Sequence, residues 1–320
     1  MFFDKYKRVN FVPNRVRDVN CYIMSLPENY IDRDVVKHFA SLINDVEAEP
    51  FTILMSGADL WDIVNKFGLK DWLPDWISLK SETDFGLLRV DKGFVDRMID
   101  FSKSEKAILT IKEQYLSLPG SQSNLKGQME SGADIRIVDD ILGAMVVASK
   151  KRRNKVLFAI TGYEDEALVT AAGLAKAKTV GFRNFFVFQQ HFQTPGIINT
   201  FASNNNIDGF MIPLKVGLNT GPGAYSSISL TYNKGVVISG YEPAEIMQSV
   251  WMLISQKLDK KPATVFQRTK EVSDEVINRS RWMIEEVFEP ADLLFNDGAI
   301  VNAGAFKIRE KYSAFDANLL

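Results

Sequence analysis

The sequence predicts an α/β protein built as two parallel-sheet lobes that face each other across a cleft. Three observations carry this reading. Seven short runs are continuously apolar, as parallel strands buried on both faces require. Longer amphipathic stretches separate them and suit right-handed helical crossovers. The 320 residues amount to about two ordinary domains of chain.

In chain order, residues 1–30 show no clean period and read as an amino-terminal extension, with Phe2, Phe3 and Phe11 as its apolar members. The first α/β lobe is expected over 31–125, with strands at 51–56 and 107–111 and a polar, Trp-rich stretch between them. The second is expected over 126–264, with strands at 134–138, 156–160, 184–188, 209–212 and 236–239. Its segment 165–181 is an Ala-rich helix: small side chains let it lie close on a sheet, and Gly181 is a natural stop. Residues 242–257 place Ile246, Val250, Leu253 and Ile254 on one helical face, and 273–287 repeats the pattern with Val276, Ile277, Ile284 and Val287. The basic run from Lys150 to Arg153 reads as a solvated helix end. The last stretch, 265–320, is expected to fold back onto the first lobe.

Composition closes several function classes. Lysine and arginine number 38 against 40 aspartate and glutamate, so a net charge of −2 leaves no footprint for nucleic acid or an anionic membrane. The one cysteine, Cys21, excludes an intrachain disulfide and a cluster held by four thiolates of this chain. Two histidines, His38 and His191, leave little for a histidine-rich cage. No metal site and no cofactor are therefore expected. No window approaches the roughly 18 apolar residues of a membrane span, and the charged start is unlike a secretory signal. A cytoplasmic setting follows as the expectation.

Ligands in open α/β sheets bind beyond the carboxyl ends of the strands, which selects the loops that matter. After strand 156–160 comes Gly162-Tyr163-Glu164-Asp165-Glu166, a turn into a helix. Its acids either complement the helix dipole or set Glu164 into a cleft as an acid, base or acceptor. Gly240-Tyr241-Glu242-Pro243 is a near copy after strand 236–239, and the two turns are expected along one sheet edge. The Gly-rich loop from Pro213 to Tyr225 offers either plain loop geometry or an anion nest to which Lys215 adds charge. His191 follows strand 184–188, as a structural or a catalytic residue. Pro119-Gly120-Ser121 form a turn with Ser121 as the natural helix cap.

Several segments, in the same order, resemble the HypD family, scaffolds in the maturation of nickel–iron hydrogenases. They are Leu118 to Ser121, Gly132 to Val138, Gly162-Tyr163-Glu164, Ile207 to Phe210, Gly240 to Pro243, Val287-Phe288-Glu289 and Tyr312 to Ala317. The likeness covers roughly residues 50–317 and implies two Rossmann-like lobes across a cleft. It also implies a cysteine–histidine motif after the first strand, with iron held partly by that cysteine, a second cysteine motif, and a carboxy-terminal cysteine segment for an iron–sulfur cluster. Anchored on Lys66 to Leu69 and on Leu73-Pro74, the iron cysteine falls on Gly57 and the first histidine on Leu60. The cysteines of the second motif fall on Phe85 and Leu88, and a Pro-Gly-His turn falls on Pro213-Leu214-Lys215. The cluster segment has no counterpart after Ala317.

Thiolates are the soft ligands that such iron requires, and Gly, Phe and Leu supply none. The sequence is therefore expected to be a HypD-like protein repurposed away from iron chemistry. The first reading is a metal-independent enzyme or small-molecule-binding protein in a biosynthetic pathway, using the inter-lobe cleft. Glu164, Glu242, His191 and Lys215 are its candidate catalytic residues. Tyr163, Tyr241, Asp59, Asp62, Pro119, Gly120 and Ser121 are its candidate substrate contacts. The alternative is a non-catalytic scaffold that docks a protein partner, with hydrogenase maturation proper ranked third.

Overall fold

The computed structural model describes residues 32–46, 48–85, 92–268, 273–294 and 300–319. The extension 1–30, the side chain of Phe85 and all of Leu88 lie outside the described residues. Among the described residues, nine strands lie in parallel sheets: β1 (Phe51–Met55), β2 (Ile77–Ser81), β3 (Ala107–Ile111), β4 (Ile135–Ile137), β5 (Lys155–Gly162), β6 (Phe185–His191), β7 (Gly209–Pro213), β8 (Gly235–Ser239) and β9 (Thr264–Phe266). The first sheet has the order β2-β1-β7-β8-β9 and the second β4-β3-β5-β6. A two-stranded antiparallel hairpin, β10 (Phe288–Leu294) with β11 (Ile300–Ile308), follows them. All five residues of β3, β7 and β8 are buried, which is why these strands read as unbroken apolar runs.

The sheets divide the chain otherwise than by boundaries at 125 and 264. β3, expected beside β1, pairs with β4 and β5. β7 and β8, expected with β5 and β6, continue the sheet of β1. The chain thus passes from the first sheet to the second after β2 and returns after β6. Apolar burial is non-directional, so a run of buried residues announces a strand without naming its neighbour. The helix Asp274–Val287, the hairpin and the segment 310–315 place Ile284, Val287, Phe288, Phe306, Ile308, Tyr312 and Phe315 in the core of the second sheet.

Among the strands, β2, β9 and both strands of the hairpin escaped the sequence reading. β2 is half polar and buries only Leu79 and Ser81, β9 has three residues, and the hairpin alternates in exposure. A further element was misread: the stretch after β7 is a helix, Leu214–Thr220, and not a glycine nest. Gly217 is there for close packing, since a Cβ would come within 2.3 Å of Ile238 on β8. Among the described residues no helix is long and apolar enough to cross a membrane.

Candidate functional site

The carboxyl ends of β1, β2, β5 and β7 converge. Ser56 and Gly57 follow β1, where Gly57 takes a left-handed φ of 77° to open the helix Ala58–Lys66. Glu82 follows β2 and is buried. Its carboxyl accepts from the Ser56 hydroxyl at 2.7 Å, from the Gly57 amide at 3.4 Å and from the Tyr163 hydroxyl, which reaches across from the end of β5. Burial raises the acid range of Glu82, and those three donors partly offset the cost. Tyr163 is itself held well above the usual phenol range by burial and by the neighbouring Glu82 carboxyl.

Beside this group lies an ion-pair chain. The Lys215 ammonium, in the first turn after β7, sits between Asp59 of the first sheet's β1–helix turn and Asp165 of the second sheet's β5 turn, 3.0 Å from the latter. Burial opposes its charge, yet Asp165 and Asp59 together hold it above the ordinary lysine range. The Lys215 amide donates to the Tyr241 hydroxyl at 3.4 Å, and burial raises that phenol. Asp62, one turn along from Asp59, is raised by burial and then by the Asp59 charge.

Glu164 lies between Tyr163 and Asp165 but faces the helix start that follows β6. Fully buried, its carboxyl accepts from the Thr194 amide at 2.7 Å and pairs with the Thr194 hydroxyl at 2.6 Å, anchoring the start of the helix Thr194–Ala202. Burial pushes its acid range up to about 8, with the Thr194 bonds opposing. Gly162 makes this turn possible: its φ is 152°, and a Cβ would strike Glu166 at 2.6 Å.

The remaining candidates stand apart from this centre. His191 is a core residue, its Nε2 3.0 Å from the Thr170 hydroxyl and its ring edge-on to Phe288; burial drives it down to about 3. Glu242 forms a reciprocal capping box with Glu245 on the helix Pro243–Leu258 and lies 3.6 Å from Arg268. Its turn belongs to the first sheet and that of Glu164 to the second, so the two Gly-Tyr-Glu turns do not share one edge. Ser121 does not cap a helix; its amide and hydroxyl both bind Asp96, at 2.8 and 2.6 Å, while Asn124 caps Leu125–Glu130. Pro119 pairs with Asn124 in this same turn, and a Cβ on Gly120 would meet Asp96 at 2.7 Å.

Four sequence candidates therefore meet: Tyr163, Tyr241, Asp59 and Lys215, with Asp62 adjacent. Three members were missed, namely Ser56, Glu82 and Asp165. Glu82 was the hardest to find because its strand was itself unread. The donors here are hydroxyl, carboxylate and amine groups already paired with one another. At the position implied for an iron-holding cysteine stand Gly57 and, for its histidine, Leu60. Among the described residues no group of three or more His, Cys, Asp or Glu is placed to hold a metal ion. This hard, internally satisfied donor set does not fit thiolate-held iron.

The comparisons with known proteins bear on this geometry. A family model described as HypD, hydrogenase formation hypA family, matches residues 34–320. The chain belongs to the HypD family. A putative hydrogenase expression/formation protein of Methanocaldococcus jannaschii is 28% identical over 292 residues, 90% of this chain and 81% of that protein. The hydrogenase maturation factors HypD of Escherichia coli and Rhizobium leguminosarum are 25% and 26% identical, each match covering 92% of this chain and 78% and 79% of theirs.

These findings overturn the expectation of a protein repurposed as a metal-independent enzyme or small-molecule binder, and they do not favour the alternative of a scaffold apart from maturation. The expectation rested on single positions such as Gly57 and Leu60, whereas the likeness to hydrogenase maturation factors runs through both sheets.

Proposed function

We propose that the chain acts in hydrogenase formation through contacts with protein partners, in the cytoplasm, and without gripping iron through thiolates of its own. The match to hydrogenase maturation factors over about nine-tenths of the chain carries the first part of this reading. The oxygen and nitrogen character of the strand-end centre supports the last part. There Glu82, Tyr163, Lys215, Asp59 and Asp165 satisfy one another. What the residues supply at the meeting of two sheets is a buried polar cluster, with hydroxyl and amide donors around Glu82, and beside it a partly exposed cation held between two carboxylates.

The test is genetic and analytical. Deleting the gene in its native host is expected to abolish or sharply reduce hydrogenase activity, which a plasmid copy restores. Purified anaerobically, the chain is expected to carry well under one iron atom per molecule. Unchanged hydrogenase activity in the deletion strain would remove the functional reading. One iron per chain, retained through gel filtration, would remove the thiolate-free reading.

A further inference from the structure

The junction between the two sheets has two kinds of surface. One is dry and close-packed. The hairpin spans both cores, giving Phe288, Phe306 and Ile308 to the second sheet and Leu293 and Val301 to the first. The helix Thr194–Ala202 lies so near β11 that a Cβ on Gly196 would come within 2.1 Å of the Ala303 carbonyl oxygen. Separating such surfaces exposes apolar area and is resisted.

The other surface carries the polar bonds of one turn, beside the helix Leu214–Thr220, which packs on the helices Glu164–Val180 and Asp274–Val287. Three consecutive side chains after β5 reach three different partners. Tyr163 donates to Glu82 in the first sheet, Glu164 binds Thr194 just beyond β6, and Asp165 meets Lys215 in the first sheet. The side chains of Lys215, Asp59 and Asp165 keep 30%, 48% and 21% of their exposure, so water is at hand to replace each bond as it breaks. Burial raises the acid range of Glu82, so hydrating that carboxyl recovers free energy that the closed arrangement forfeits. Polar interfaces within one chain are where relative motion is expected.

We infer that the turn from Gly162 to Asp165 is a releasable latch: the sheets part at their strand ends by breaking Tyr163–Glu82 and Asp165–Lys215 together, while the packed hairpin side holds. The ladder of β5 with β6, closed by the Phe192 amide on the Gly162 carbonyl, keeps the turn's backbone fixed to the second sheet, so both prongs move as one. Opening uncovers Ser56, Gly57, Asp59, Glu82 and Lys215 as one polar surface. The inference does not depend on which protein the chain meets.

Hydrogen exchange read by mass spectrometry on the full chain tests it, in two arms. In the wild-type protein, raising salt from about 0.05 to 0.5 M screens the ion pairs. Exchange in peptides covering 56–59, 82–85 and 162–165 is then expected to rise at least about threefold, with β3 and the hairpin unchanged. The double variant Tyr163→Phe/Asp165→Asn is expected to show the same local rise at low salt and a larger radius of gyration in solution scattering. Flat exchange at the strand ends in both arms would overturn the latch. So would a rise spread equally over β3 and the hairpin, which marks general loosening. Should the double variant fail to fold, the salt series alone decides.

Discussion

The tripeptide Gly-Tyr-Glu occurs twice at a strand end, after β5 and after β8, and the two copies do different work. After β5, Glu164 turns inward and is buried against Thr194, while Tyr163 crosses to the other sheet. After β8, Glu242 stays 26% exposed, caps its own helix and lies near Arg268, while Tyr241 accepts a long bond from the Lys215 amide. The same three residues therefore become a connector between sheets in one place and a local helix start in the other. What differs is the surroundings: a second sheet stands opposite the first copy. A short motif fixes backbone shape and side-chain type, and packing assigns the role.

Replacing the two glutamates is expected to separate the copies most widely. Glu164→Ala leaves the Thr194 amide and hydroxyl buried without an acceptor and is expected to cost about 3 kcal/mol in urea unfolding. Glu242→Ala removes half of a capping box and is expected to cost about 1 kcal/mol. Equal losses would erase the distinction.

The pH dependence is expected to sharpen it. The acid range of Glu164 is raised from 4.5 to about 8 in the folded chain, so its favourable contribution is complete below pH 4.5 and lost as pH climbs toward 8. Glu164→Gln mimics the neutral acid. Its stability relative to wild type is expected to rise by on the order of 2–4 kcal/mol across that window. His191 acts in the opposite sense. Driven from 6.5 down to about 3, it contributes stability above pH 6.5 that disappears as pH falls toward 3. Wild-type stability measured against pH is therefore expected to decline on both sides of a middle range, and a curve flat from 4 to 8 would contradict both assignments.

The phenols come next. Tyr163→Phe removes the cross-sheet donor to Glu82 and is expected to cost about 1.5 kcal/mol. Tyr241→Phe removes only an acceptor at 3.4 Å and is expected to stay within about 0.5 kcal/mol. Thermal or urea unfolding of the two variants side by side checks the order.

Much of the architecture was legible in the sequence, because β1, β3, β5, β7 and β8 are buried on both faces and wrote themselves as unbroken apolar runs. Gly181, at φ 78°, ended its helix where its residue type said it would. The partition into sheets was not legible, since the chain crosses just before β3 and again just before β7, whose partner β1 lies beyond both crossings. At the centre, Tyr163, Tyr241 and Lys215 were proposed from strand-end position, and Asp59 from the place of the iron motif that the resemblance implies. Ser56 and Glu82 were missed because the one is an unremarkable serine and the other ends a half-polar edge strand. His191 and Glu164 were read as chemistry, yet the structure buries both among fixed partners, which no spacing rule reveals.

The account stands or falls on hydrogenase formation by a chain that needs no thiolate. The most direct measurement is hydrogenase activity in the native host deleted for this gene and given back the chain with its one cysteine changed, Cys21→Ser. The expected result is restoration equal to that by the wild-type gene. Restoration by wild type but not by Cys21→Ser, or no restoration by either, would contradict the account.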